Sequence, residues 1–450
     1  MTETRRRIWG WWFFDWASQP YNTLLLTFIF GPYVVKVMGD GSAAQTVWGY
    51  GVGAAGVLIA LASPLLGAIA DRAGRRMAFI WLFSLMYFVG AWGLWWAAPQ
   101  DFNVWLVMLS FCIGLIGMEF ATTFTNAMMP DLAPPEDLGR ISGSGWAFGY
   151  VGGVLALAVM LLFFAEGETT GRTLIGLQPL FGLDPATREG TRFVGPFTAL
   201  WFAVFMIPFF LWVREPKRPG IGIIAAARGA FPETVATIRD LPKHRSLLAY
   251  LVSSTFYRDA LNGMYAFGGI YAAGVLGWEV TEVGVFGILA AITGAVFAWL
   301  GGKADSHLGP KPVIFASVVL LALVCLGIIY VGRDMVFGLP VGPESALPDI
   351  AFYLLGCLIG AGGGVLQSSS RTMMVRQADP SRMTEAFGLY ALSGKAMSWI
   401  APLSIAVTTQ ITGSQQLGII PLIVLFVIGL SLLVFVKPNG DKDTWSAPSS

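Results

Sequence analysis

The chain has 450 residues, of which 55% are hydrophobic and 12% charged, and its 28 Lys and Arg nearly balance 27 Asp and Glu. A soluble protein of this length carries roughly twice that share of charge. Mean hydropathy is +0.67, and apolar stretches of about 20 residues, the length that crosses a bilayer, recur along the whole sequence. The composition therefore excludes a soluble enzyme, and the near-neutral balance, with no basic stripe among aromatics, argues against a nucleic-acid partner.

Arg5, Arg6 and Arg7 precede the first apolar run in the manner of a signal peptide, but Asp15 interrupts that run. It reads as an uncleaved first span. Hydropathy then predicts about twelve spans, near 8–36, 46–70, 78–98, 102–129, 143–165, 196–213, 247–275, 281–303, 312–332, 349–376, 384–411 and 415–436. About 20 Lys and Arg fall on the side of the N-terminus and about 4 on the other, which predicts both termini in the cytoplasm. The expected organisation is an N-terminal six-helix bundle over 1–213, a cytoplasmic linker over 214–246, a C-terminal six-helix bundle over 247–436 and a tail over 437–450. In the linker, Phe231, Val235, Ile238 and Leu241 recur at helical spacing behind Pro232, which predicts a short interfacial helix beginning there. The external segment 166–195, with Gly, Pro and mixed charge, reads as a partly ordered loop of no assigned role.

A charged cassette appears twice between apolar stretches. The first copy is Gly67-Ala68-Ile69-Ala70-Asp71-Arg72-Ala73-Gly74-Arg75-Arg76, and the second runs from Gly301 through Asp305 to Gly309-Pro310-Lys311. Gly permits close helix approach, Asp can cap or pair, and the basic residues stay in the cytosol. The second copy has an extra residue after Asp305, and Pro310 stands where the first has a basic residue. Asp71 with Arg72 and Arg75 is therefore the surer gate, with Asp305 and Lys311 its weaker echo. The repeat extends further: Thr125–Met129 matches Ser370–Met374, and Gly143 and Gly149 match Gly388 and Gly394, at an offset of about 245 residues. Spans of like orientation correspond, so the halves are parallel repeats.

Ionisable residues at membrane depth are costly, which makes them functional candidates. Here they are Asp15, Glu119, Arg258, Asp259, Arg371 and Lys395. Structural ion pairing is the alternative reading for each of them. Desolvated carboxyls at Asp15 and Glu119 suit proton loading. Arg258 suits an anionic group or neutralises Asp259, and Lys395 suits a carboxylate. Arg371, nearer the cytoplasmic end, and Arg376 are expected to pair with Asp305. Gln19, Tyr21, Asn22, Asn126, Asn262, Gln367 and Tyr390 accompany them as polar groups turned toward protein or a cavity.

Gly388 through Gly394-Lys395-Ala396 superficially matches a phosphate loop. It has one residue too many between its glycines, and Ala396 stands where a hydroxyl must bind magnesium. Cys112, Cys325 and Cys357 lie in apolar spans without CxxC pairing, while His244 and His307 lie in loops. No enzyme, cofactor or metal site is expected.

The double cassette resembles the loop motif of the major facilitator superfamily. Trp12-Phe13-Phe14-Asp15-Trp16-Ala17-Ser18-Gln19-Pro20-Tyr21, Ile141 through Tyr150, Tyr257-Arg258-Asp259-Ala260-Leu261-Asn262 and Glu385 through Lys395 more narrowly resemble its vacuole effluxer-like branch. That resemblance implies an all-α membrane protein with twelve transmembrane helices in two pseudo-symmetric six-helix bundles, the major facilitator fold. It also implies alternating access and secondary transport, and for fungal members amino-acid export. The expectation is a monomeric, proton-coupled transporter of a small polar or zwitterionic solute, an amino acid or small peptide, in a bacterial-type inner membrane. Muropeptides, lysolipids or drug-like amphiphiles are the alternative cargo. A non-transporting sensor or assembly factor is the alternative class.

Overall fold

The computed structural model describes residues 2–39, 41–167, 170–216, 220–278, 280–342 and 344–441. Linker residues 217–219 and tail residues 442–450 lie outside the described residues. In chain order the helices are α1 (Glu3–Pro20), α2 (Phe30–Met38), α3 (Gly41–Ala73), α4 (Arg76–Gly93), α5 (Val104–Ala127), α6 (Leu138–Phe163), α7 (Glu189–Arg192), α8 (Val194–Phe205), α9 (Ile207–Trp212), α10 (Ile223–Asp240), α11 (Arg245–Tyr271), α12 (Val280–Leu308), α13 (Pro310–Ile329), α14 (Leu347–Gln377), α15 (Met383–Ala396), α16 (Ile400–Thr412) and α17 (Ile420–Leu433). Helix occupies every predicted span.

Among the described residues nine of these stretches are long and apolar enough to cross a membrane, and the apolar stretch Leu417–Leu433 is shorter. Two predicted spans fall below that standard for physical reasons. α11 carries Arg258, Asp259 and Asn262 in its middle, and the eleventh span is broken between Ala396 and Ile400 into α15 and α16. The first and seventh spans share a different irregularity. Each contains wider π turns, over Tyr21–Phe28 and Ala272–Leu276, a distortion that frequently accompanies functional sites.

The chain forms two compact units. Unit 1 comprises Met1–Ser63, Ala70–Leu132 and Phe148–Ile223; unit 2 comprises Pro64–Ile69, Ala133–Ala147 and Ile224–Ser450. The predicted boundaries at 213 and 247 differ from this division, because two short stretches of the first half pack within unit 2. In unit 1, α4 packs on α5 and α8, and α1 packs on α8 and α9. Trp11, Phe14, Tyr21, Tyr87, Phe111, Phe124 and Phe202 fill its core. In unit 2, α14 packs on α12 and α13, and α17 packs on α11.

The two first-half stretches sit in unit 2 because glycine lets backbones meet there. A Cβ at Gly143 would lie 2.6 Å from the Gly302 Cα, and one at Gly302 would lie 2.6 Å from the Gly139 carbonyl oxygen. Gly139-x-x-x-Gly143 on α6 thus crosses Ala298-x-x-x-Gly302 on α12, the small-residue spacing that permits such approach in lipid. Gly67 makes the corresponding contact: a Cβ there would meet the Thr384 carbonyl at 2.6 Å and the Glu385 Cα at 2.7 Å.

The linker helix differs from expectation. It begins at Ile223, with Pro232 inside it. A three-stranded antiparallel ladder, β1 (Val331–Gly332), β2 (Met335–Val336) and β3 (Leu339–Pro340), fills part of the loop before α14. The alternation was too short to read from sequence. The segment after α6 is organised around Glu166, which is 4% exposed. Its carboxylate accepts from the Thr191 hydroxyl at 2.7 Å and lies 3.0 Å from the Arg188 guanidinium.

Burial pushes the Glu166 carboxyl above its usual pKa, against the pull of the Thr191 hydroxyl and of Arg188. A raised folded-state value means the folded segment holds its proton more tightly than the unfolded one. The stability this group contributes is therefore complete below the ordinary glutamate pKa and is lost as pH rises through the raised value. After correction for intrinsic rates, amide exchange over residues 170–193 should be slower in mildly acid buffer than at neutral pH. Glu166→Gln should remove that difference; an unchanged difference in the variant contradicts the assignment.

Candidate solute-binding and gating sites

The first cassette builds a buried charge cluster at the junction of α3 and α4. Gly74, at φ +62°, turns the chain. That turn places Arg76 at the first position of α4, where it is 1% exposed. The Arg76 guanidinium donates to Asp71 at 2.9 Å, to Asp131 at 3.4 Å and to the Ala127 carbonyl at 3.1 Å. The Glu215 carboxylate accepts from the Arg76 and Met77 backbone N–H groups at 2.7 and 3.1 Å. It thereby caps α4 and meets the positive end of its dipole.

Of the cassette's basic gating candidates, Arg76 is buried on Asp71, Arg72 is half-buried and Arg75 is exposed. Asp131 and Glu215 were missed. Their pairing with Arg76 spans 55 and 139 residues, beyond the reach of any local spacing.

The second cassette also turns at a glycine of positive φ, Gly309 at +82°, which here is itself the N-cap of the next helix, and its chemistry differs. Asp305 is 1% exposed and lies beside Ser369, Thr372 and Arg376, and a Cβ at Gly139 would touch it at 2.7 Å. Arg371 does not pair with it as expected. Its guanidinium donates to the Ser142 hydroxyl at 2.9 Å and the Ser142 carbonyl at 2.8 Å. The Ser142 hydroxyl in turn donates to the Ser368 carbonyl at 2.8 Å. Lys311 is also no gate residue. Its ammonium donates to the Val434 and Val436 carbonyls at 3.0 and 2.7 Å, satisfying the last carbonyls after α17.

The membrane-depth candidates fall into two sets. In unit 1, Asp15, Gln19 and Asn22 occupy one face of the first span, each half-buried, and Glu119 and Asn126 share a face of α5. Gly149 lies against Asp15, whose Cβ would be 3.3 Å from an added Cβ. Tyr21 leaves this set. It is wholly buried against Tyr87 and Phe111, and its hydroxyl donates to the Phe111 carbonyl at 2.6 Å.

In unit 2, the Arg258 guanidinium stacks 3.9 Å over the Tyr390 ring and donates to the Tyr390 carbonyl at 3.0 Å. Tyr250 lies parallel to Tyr390 with centroids 6.0 Å apart. Gly394 makes the room, since a Cβ there would be 2.8 Å from the guanidinium nitrogens. Arg258 does not neutralise its neighbour. Asp259, 3% exposed, accepts from the Ala401 N–H at 2.9 Å and so caps the broken start of α16. Lys395, half-buried, occupies the last turn of α15 at the same break. Both charges complement the helix ends they occupy. Gln367 shares a face of α14 with Arg371, one turn away, and Asn262 is exposed on α11. Unit 2 also has a cavity of about 410 Å³ lined by Val275, Gly332, Arg333, Asp334, Met335 and Gln416, none of them a predicted site residue.

The repeat is visible in this geometry. Trp11 Nε1 donates to the Thr125 carbonyl at 2.8 Å, and the Tyr250 hydroxyl donates to the matching Ser370 carbonyl at 2.5 Å. Gly149 faces Asp15 as Gly394 faces Arg258.

The model of the family described as vacuole effluxer Atg22-like matches residues 31–444. The chain belongs to that family. It is similar to the MFS-type transporter YxiO of Bacillus subtilis, with 26% identity over 447 residues, 96% of this chain and 95% of that one. It is also similar to autophagy-related protein 22-1 of Aspergillus niger, with 24% identity over 68% of this chain and 48% of the fungal one. The chain thus spans about half the length of the fungal relative. The fold matches FucP in its outward conformation (TM-score 0.69, 13% identity, 96% and 99% coverage) and the proton:xylose symporter XylE (0.66, 12%, 99% and 98%). The Atg22-like chain is an integral, multi-pass membrane protein of major facilitator fold, an MFS-type transporter.

Removing one member of a buried ionic cluster strands the others, at about 3–5 kcal/mol. Arg76→Gln should therefore lower Tm sharply in detergent, while Arg75→Gln should change the unfolding free energy by no more than about 0.5 kcal/mol and leave Tm nearly unmoved. Equal effects would contradict the assignment of Arg76 as the hub.

Proposed function

We propose that this Atg22-like protein is a secondary active transporter of a small zwitterionic solute, an amino acid or small peptide, working by alternating access with proton coupling. The observation that carries this reading is the sorting of its membrane-depth charges. In unit 2, Asp259 is held by the start of α16 and Arg371 by Ser142, while Arg258, stacked on Tyr390, offers a fixed cation suited to a solute carboxylate, with Lys395 at the neighbouring helix break as a second candidate. The depth charges of unit 1, Asp15 and Glu119, are both acidic and suit a solute amine or a transported proton. A solute carrying both signs suits a chain whose membrane-depth candidates include both acids and bases, and the flat Tyr390 face holds Arg258 in a fixed orientation without cancelling its charge.

Twelve crossings, cytoplasmic termini and a bacterial-type inner membrane complete the proposal. The basic-residue asymmetry and the nearly full-length similarity to the Bacillus relative support them.

The test is counterflow of labelled amino acids and dipeptides in proteoliposomes. Arg258→Gln should weaken apparent affinity by about ten- to hundred-fold, the loss of one or two charge-assisted hydrogen bonds. Glu119→Gln should keep counterflow while losing accumulation driven by a proton gradient. Transport of lysolipids or muropeptides that is indifferent to Arg258→Gln would overturn the zwitterion reading in favour of an amphiphile.

A further inference from the structure

The linker helix α10 buries one stripe and leaves another bare. Ala226, Ala230 and Thr234 are buried. Roughly 110° round the helix from that stripe, at 100° per residue, Ile224, Phe231, Val235 and Ile238 are 74%, 65%, 47% and 43% exposed. These four stand at i, i+7, i+11 and i+14, a single line along a helix of 3.6 residues per turn. Arg228 and Arg239 are exposed and project beside this line, about 40–60° from it at 100° per residue. The acids do not: Glu233 and Asp240 stand on the other side, and Glu233 is tied at 3.1 Å to Arg382, which also holds Glu385 of α15 at 2.7 Å.

An exposed row of Ile, Phe and Val is costly in water, and no described segment of the chain covers it. The helix follows α9, the end of the sixth predicted span, and precedes α11, the start of the seventh, so it lies on the side of the membrane where those two spans meet. There an apolar line flanked by arginines, with its carboxylates turned away, matches one surface: acyl chains under anionic headgroups. We propose that α10 is a lipid-reading helix that seats Ile224, Phe231, Val235 and Ile238 in the membrane interface and binds anionic phospholipid headgroups through Arg228 and Arg239. The opposite face, through Glu233–Arg382–Glu385, connects the seated helix to α15, which carries Tyr390 and Lys395.

The test uses spin labels on the full chain in a Cys112→Ala, Cys325→Ala, Cys357→Ala background. The labels are introduced by Phe231→Cys or Ile238→Cys, with Ala236→Cys as the control on the other face. Each variant is reconstituted into nanodiscs of phosphatidylcholine alone or with phosphatidylglycerol at 3:1. Labels at 231 and 238 should collide severalfold more with oxygen than with an aqueous nickel chelate, and the 236 label should show the reverse. The 231 and 238 ratios should rise further with phosphatidylglycerol, and Arg228→Gln with Arg239→Gln should remove that rise while monodispersity is kept. Nickel-accessible labels at 231 and 238 in both lipids would overturn the proposal. So would a short label-to-label distance between two copies, or seating indifferent to headgroup charge.

Discussion

A charge withdrawn from water into a bilayer-spanning protein needs both room and partners, and the packing of each unit answers that requirement. Burying an ion without compensation costs several kcal/mol, and hydrocarbon offers no polar group in return. Arg76 is compensated by Asp71, Asp131 and a backbone carbonyl, with Glu215 closing the helix end that presents it. Arg258 is compensated by an aromatic face and one carbonyl, in space left by the missing side chain of Gly394. Asp259 is compensated by a helix end that exists only because the eleventh span is broken. The break, the glycine and the stacked tyrosine are parts of one solution to one electrostatic problem.

The duplication reuses the positions and changes the chemistry. Gly74 and Gly309 both take a positive φ, yet Asp71 pairs with a buried guanidinium while Asp305 lies among Ser369, Thr372 and Arg376. The carbonyls of Thr125 and Ser370 are held from the first span of each repeat, by an indole in one case and a phenol in the other. Gly149 and Gly394 clear space for a carboxylate-bearing residue and for a guanidinium respectively.

Much of this was legible in the sequence because it rests on period and composition. Helix lies over each stretch that hydropathy picked out, the cassette spacing located both turns, and the offset of about 245 residues paired the glycines. What escaped was long-range and three-dimensional. Nothing local distinguishes Arg75 from Arg76; the non-helical backbone of Arg75, at φ −137° and ψ 67°, leaves its side chain in water, while Arg76, the first residue of α4, lies among Asp71 and Asp131. Tyr21 reads as a polar group for a cavity until its hydroxyl is found on the Phe111 carbonyl. Lys311 looks like a gate until the end of α17 is seen beside it. Pro232 looked like a helix start because proline favours a first turn, but the run of Ile and Ala before it already sustains the helix.

The central claim is that Arg258, held over Tyr390 and beside the break that carries Lys395, receives the anionic end of a zwitterionic solute. The most direct measurement is a cryo-EM structure of the protein with its transported solute bound. The account predicts solute carboxylate density within hydrogen-bonding distance of the Arg258 guanidinium, with Asp259 still on the Ala401 N–H. Solute density against apolar side chains alone, with Arg258 closed onto a protein carboxylate, would contradict it.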